Sequence, residues 1–193
     1  RLPEVPSADD IRSRTGDSSG APFAAVLLQE CHALHTLISK IKSNLGELEL
    51  AINGQLTMTV QLEALAASIA DDVVPKAWLT AAGTPSLRGL SSWIDQLGSR
   101  AAQLAEWALT DPATPPKSVW LGGLSNPQAF LTAVLQTAAR RNGWALDRTA
   151  LVTEVTRKTT MDQIDSSPPR DGAYVHGLWL EGASWDDGTS SGG

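Results

Sequence analysis

Glu30, Cys31, His32 and His35 fall within six residues and form the densest gathering of metal-capable side chains in the sequence. His32 and His35, at i and i+3 on a helix, could meet one ion, but a structural zinc site asks for four ligands. The remaining histidine, His176, lies far along the sequence in a stretch that reads as a strand. Cys31 belongs to an apolar stripe, whereas His32 stands on another face of the same helix. Surface histidines are the simpler reading, and no metal ligand is assigned.

Phosphate chemistry fares no better. Gly122-Gly123 follows a short apolar run and precedes a helix, as a nucleotide loop should. Nothing in it matches GxxxxGK[ST], because Lys117-Ser118 comes before the apolar run and not after the glycines. No GxSxG nucleophile elbow occurs, and one cysteine with scattered histidines has no triad spacing. The acid pairs Asp71-Asp72 and Asp186-Asp187 are adjacent and so point apart on a helix. Helix ends and solvated turns explain them better than acid–base work. No catalytic, cofactor-binding or metal residue is therefore assigned, and no cofactor is expected in this segment.

The elements that would have to position any chemistry begin with Phe23 to Ile52. Leu27, Cys31, Leu34, Ile38, Ile41, Leu45, Leu48 and Ile52 step by four and three, lining one face of a helix. Thirty residues at about 1.5 Å each give a rod of roughly 45 Å, which needs a partner to cover its stripe. Gly46 is its weak point and Asn53-Gly54 its stop. Met58, Leu62, Leu65 and Ile69 predict a second helix. Pro75 opens a short third one through Trp78 and Leu79, ended by Gly83. Leu87, Leu90, Ile94, Leu97, Ala101, Leu104 and Ala108, flanked by Trp93 and Trp107, predict a long fourth helix that packs on the first.

The Pro-rich link 111–118 marks an internal boundary. Beyond it, Val119-Trp120-Leu121 reads as a strand. Asn126-Pro127 opens a helix that buries Phe130, Leu131, Val134, Leu135 and Ala138, with Arg140 and Arg141 at its end and Gly143 as its stop. Leu151, Thr153, Val155 and Arg157 predict a strand with one shared face, and Ala173 to Leu180 predicts another. The seven tryptophans read as core anchors, with Trp179 and Trp185 set aside for an interface. The fold class is α+β, an antiparallel helical bundle followed by an incomplete small sheet whose edges are left open. Expected boundaries are an extended lead-in at 1–22, a helical part at 23–111, an α+β part at 112–187 and a flexible tail at 188–193.

Composition bounds the partners. The 193 residues, with 42% hydrophobic content and a net charge of −6, suffice to build a core and offer no nucleic-acid surface. No apolar run reaches membrane-spanning length. The single cysteine excludes an intrachain disulfide and suits a reduced compartment. The sequence starts without Met and ends in GTSSGG, so both ends read as cut from something larger.

Five blocks carry more than composition: LLQECHALHTLISKIKSNLGELELAINGQL, VPKAW, PSLRGLSSWIDQL, VWLGGLSNPQAFLTAVLQTAARRNGWALD and PPRDGAYVHGLWLEGASWD. In order and spacing, from about Phe23 to Asp186, they resemble the C-terminal region of a dynein heavy chain. NPQAFLTAVLQTAAR with Trp120 before it, and DGAYVHGLWLEGASWD, are the most specific, and both resemble axonemal members. The resemblance implies a helical part followed by an incomplete β-barrel, lying on the AAA+ ring of an ATP-driven microtubule motor and containing none of its ATP sites. It implies as partners the rest of the heavy chain, the other heavy, intermediate and light chains, and microtubules indirectly. The implied location is the cytoskeleton of the cilium or flagellum, on the cytoplasmic side of the membrane. In two places the sequence departs from the family. Gly122-Gly123-Leu124-Ser125 stands where the family often has a Phe-rich run, and GTSSGG stands where further strands would follow.

Two other classes stay open on the residues alone. One is a free-standing helical adaptor that docks partners through the Leu27–Ile52 seam. The other is a small metal-dependent enzyme using His32 and His35.

Overall fold

In a computed structural model, which describes residues 2–15, 21–83, 86–156, 158, 163–164 and 169–177, the apolar stripe becomes α2, Pro22–Ile52. Pro22 takes the first helical position, where a missing N–H costs nothing. At the other end the Asn53 N–H donates to the Glu49 carbonyl at 3.0 Å, and Gly54 turns the backbone with φ +73°.

Every other α-helix among the described residues packs on α2: α1 (Ala8–Thr15), α3 (Val60–Ala70), α4 (Lys76–Ala82), α5 (Leu90–Thr110) and α6 (Pro127–Asn142). Thr59 caps α3 by accepting from the Leu62 N–H, and Gly83 ends α4 in the left-handed region. α5 runs antiparallel to α2. Near its start, Trp93 stacks on Trp78 with ring centroids 6.2 Å apart, and the Trp78 indole N–H donates to Asn44 at 3.1 Å. Near its end, Trp107 meets Phe23 edge-on at 6.4 Å, and Phe130 of α6 closes the group against both rings. This aromatic group pins the start of α2 to α5 and α6.

The stripe holds from Leu27 through Ile41 and again at Leu48. Leu45 and Ile52 depart from it, being 38% and 68% exposed. The cause is length: α2 has 31 residues and α5 has 21, so α2 overhangs its long partner by roughly 15 Å at 1.5 Å per residue. Met58 and Leu87 are likewise exposed and lie outside the helices.

The expected lead-in is not wholly extended. Ser7 Oγ accepts from the Asp10 N–H at 3.0 Å and opens α1, whose Ile11 is fully buried in the core. Residues 151–156 of the strand expected over Leu151, Thr153, Val155 and Arg157 carry no regular structure, and Leu151, Val152 and Val155 are exposed, while Arg157 lies outside the described residues. β-branched residues favour a strand only where another strand pairs with them, and none does so among the described residues.

The sheet among the described residues is small. β1 (Val119–Trp120) and β2 (Val175–His176) pair in parallel, with Val119 opposite Val175 and Trp120 opposite His176. α6 lies on the crossover that parallel strands require. No barrel is formed by the described residues, so they are mostly helical with a two-strand sheet. Residues 178–180 of the second expected strand, Trp179, Trp185, Asp186-Asp187 and the tail lie outside the described residues. Trp78, Trp93 and Trp107 are the buried anchors; Trp144 is exposed, against expectation.

Candidate functional site, a polar joint between helix and strand

Glu30 lies on α2 between Leu27 and Leu34 and is 3% exposed. A buried carboxylate has to be matched. Its Oε2 accepts from the Ser125 backbone N–H at 2.6 Å and its Oε1 from the Asn126 backbone N–H at 2.8 Å. Asn126 is the cap of α6, its own side chain accepting from the Ala129 N–H at 3.1 Å. Glu30 therefore sits at the N-terminus of α6, where the exposed N–H groups and helix dipole favour negative charge. A phosphate would seek the same donors. Here the protein's own carboxylate holds them.

Arg100 of α5 grips the same turn from the other side. Its Nε donates to the Gly123 carbonyl and a terminal nitrogen to Ser125 Oγ, both at 2.8 Å. Burial pushes the Arg100 pKa down, and the nearby Glu30 charge opposes that shift. One buried anion and one half-buried cation thus hold a single turn, each offsetting the other's cost.

One turn of α5 further on, Gln103 treats β1 as a strand would. Its Oε1 accepts from the Trp120 N–H at 2.7 Å and its Nε2 donates to the Trp120 carbonyl at 3.3 Å. The side-chain amide completes the edge of β1 away from β2, which would otherwise leave backbone groups unpaired. On the β2 edge, the Val119 N–H donates to the Tyr174 carbonyl at 2.9 Å, and Ser118 Oγ lies 2.9 Å from His176 Nδ1. Partial burial holds the His176 pKa below its ordinary value.

The glycines placed to cradle a phosphate cradle an indole instead. Trp120 lies so close over Gly123 and Gly177 that a Cβ on either would collide with its ring. A Cβ on Gly122 would come within 2.8 Å of the Gly177 carbonyl oxygen. Gly177 also has φ +67°, which glycine adopts without strain. Trp120 thus packs onto bare backbone.

The sequence candidates scatter. His32 and His35 are exposed on α2, and Cys31 is buried, its thiol pushed up to about 12 by burial and then by the Glu30 charge. Among the described residues no three His, Cys, Asp or Glu side chains gather as a metal site. Asp72, at φ +54°, accepts from the N–H and hydroxyl of Ser91 at 2.9 and 2.8 Å, which holds its carboxyl below the usual range. It caps the start of α5 from outside that helix. Glu30, Arg100 and Gln103 carry the joint, and local motifs reveal none of them. One signal existed: Leu27, Glu30, Leu34, Leu37 and Ile41 also step by three and four, which places a carboxylate on a core line.

Comparison with known proteins decides the family. The profile of the C-terminal domain of dynein heavy chains matches residues 1–191. The protein belongs to that dynein C-terminal domain family. It is 48% identical over 97% of its length to the dynein beta chain of the flagellar outer arm of Chlamydomonas reinhardtii. It is 43% identical over 98% of its length to the ciliary dynein beta chain of Heliocidaris crassispina, and 40% over 98% to dynein axonemal heavy chain 17 of Mus musculus. These relatives are axonemal heavy chains, and the present sequence spans 4% of the length of each. Membership in the dynein family displaces the free-standing adaptor. No helix of the described residues is long and apolar enough to cross a membrane.

Proposed function

We propose that this dynein C-terminal domain is a non-catalytic brace, packed on the AAA+ ring of a ciliary or flagellar heavy chain and supporting its movement along microtubules. The observation that carries the reading is the family match across residues 1–191, with axonemal relatives at 40–48% identity. The joint supports it. Glu30, Arg100 and Gln103 spend their donors and acceptors on the backbone of residues 120–126, as a clamp does. ATP and magnesium are bound elsewhere in the heavy chain, and this segment takes no cofactor of its own. Its partners are the rest of the heavy chain and, in the arm, other heavy, intermediate and light chains; microtubules are reached indirectly. Its place is the axoneme. The test sets an intact heavy chain against one lacking this domain, in microtubule gliding and ATPase assays. The brace reading expects ATP turnover to persist while gliding velocity per ATP changes. Unchanged gliding, or loss of ATP binding itself, contradicts it.

A further inference from the structure

Asp72 follows the end of α3 with φ +54°, in the left-handed region that a residue other than glycine keeps only where its contacts over-determine it. Those contacts come from the start of α5. The Asp72 carbonyl accepts from the Leu90 N–H at 2.8 Å, and its Oδ1 accepts from the N–H and the hydroxyl of Ser91 at 2.9 and 2.8 Å. Its Oδ2 lies against the bare backbone of Gly89, where a Cβ would collide with it. This clasp ties the end of α3 to the start of α5. It does not depend on the brace reading, since every contact in it lies inside the domain.

Ser91 is the reactive member of the clasp. It is exposed as the second residue of α5, and Leu87 and Arg88 before it are exposed and outside any helix. Arg88 stands three residues ahead of it, the spacing by which arginine-directed protein kinases select a serine. Such kinases take an extended segment, and only the first turn of α5 has to unwind to supply one. The same spacing occurs at Arg12–Thr15 and Arg157–Thr160. Thr15 is buried with its hydroxyl spent on the Ile11 carbonyl, and Thr160 lies outside the described residues.

We propose that Ser91 is a phosphorylation site for an arginine-directed serine/threonine kinase, and that its phosphate opens the Asp72 clasp. ATP supplies the phosphoryl group. The bond from its γ-phosphorus to the bridging oxygen breaks as the bond to Ser91 Oγ forms, ADP leaves, and the hydroxyl proton passes to the kinase's base. The phosphate brings a charge of about −2 to the place where Ser91 donated to Asp72. Asp95, one turn further along α5, adds to the repulsion. Arg88, whose Nη1 lies 3.4 Å from Ser92 Oγ, is the neighbouring cation and draws the phosphate away from Asp72. At the second position of a helix the phosphate itself satisfies the N-terminal N–H groups that Asp72 held. Asp72 is displaced, its backbone strain is relieved, and the Leu90 N–H loses its acceptor.

The experiment treats the intact heavy chain with ATP, magnesium and the catalytic fragment of calmodulin-dependent protein kinase II, and maps phosphate by peptide mass spectrometry. Phosphate is expected on Ser91. Ser91→Ala should abolish it there, and Arg88→Gln should cut it several-fold. Hydrogen exchange at Leu90 and Val73 should run several-fold faster in the phosphorylated chain. Asp72→Asn keeps the acceptor and tolerates the left-handed backbone, so that variant should fold and lose most of the acceleration on phosphorylation. No phosphate at Ser91, or phosphate confined to Thr15, Ser92 or Thr160, overturns the site. Unchanged exchange after modification of Ser91, or equal acceleration in Asp72→Asn, overturns the opening of the clasp.

Discussion

Glu30 Oε2 lies 2.6 Å from the backbone nitrogen of Ser125, joining residues 95 positions apart. This bond, with its neighbour to Asn126, ties the longest helix to the turn that launches α6. Removing the carboxylate orphans two backbone N–H groups and leaves Arg100 without its buried counter-charge. Glu30→Ala should therefore lower unfolding stability by about 3 to 5 kcal/mol. Glu30→Gln keeps shape and one acceptor and should lose less. Denaturant unfolding of both variants and of Arg100→Ala checks this, and the double variant should fall short of the sum because both side chains hold one turn. An Ala variant as stable as the parent contradicts the joint.

Two glycines should respond with opposite sign. At Gly123 a methyl group would drive into the Trp120 ring, so Gly123→Ala should destabilise by about 1 to 3 kcal/mol and shift tryptophan emission. At Gly46, inside α2, nothing lies within 4 Å of the added Cβ. Gly46→Ala should stabilise by about 0.5 to 1 kcal/mol through helix propensity alone. Thermal unfolding of the pair measures both.

The length of the covered stripe is tested by one substitution at two places. Ile38 is 3% exposed and Ile52 is 68% exposed, although sequence spacing puts them on the same line. Ile38→Asp buries an unpaired carboxylate and should cost several kcal/mol, enough to unfold a marginal domain. Ile52→Asp in the isolated domain should stay within about 0.5 kcal/mol of the parent. Equal losses would show that the stripe is covered along its whole length.

Cys31 gives a pH reading. Its folded-state pKa is raised from 9.0 to about 12, so the folded protein resists losing a proton that the unfolded one gives up. Stability linked to this thiol is intact below pH 9 and declines as pH rises from 9 towards 12. Labelling by a disulfide reagent at pH 8 should be slow in the native state and fast after denaturation. Rapid native labelling would contradict the burial of Cys31.

Local chemistry made some of this architecture legible in the sequence. Asn126-Pro127 with Gly143, Pro75 with Gly83, and the Leu27–Ile41 spacing each fix an element within a few residues. α1 was less visible, since Ile11 is its one large apolar side chain and its stability comes from burial against α2; the Ser7–Asp10 cap was the available clue. Residues 151–156 show the converse, a strand pattern without a strand beside it. The joint lay beyond local reading, because Glu30, Arg100 and Gln103 acquire meaning from backbone groups 17 to 96 residues away. The five blocks marked the family, yet the spacing of Gly122-Gly123 could not say that Trp120 would lie against them.

A brace has no need of nucleotide, and in this dynein domain Glu30 itself occupies the helix N-terminus that follows the glycine pair. Titration calorimetry with ATP and magnesium on the 193-residue protein tests that reading most directly. No saturable heat is expected. A site with micromolar affinity would contradict it.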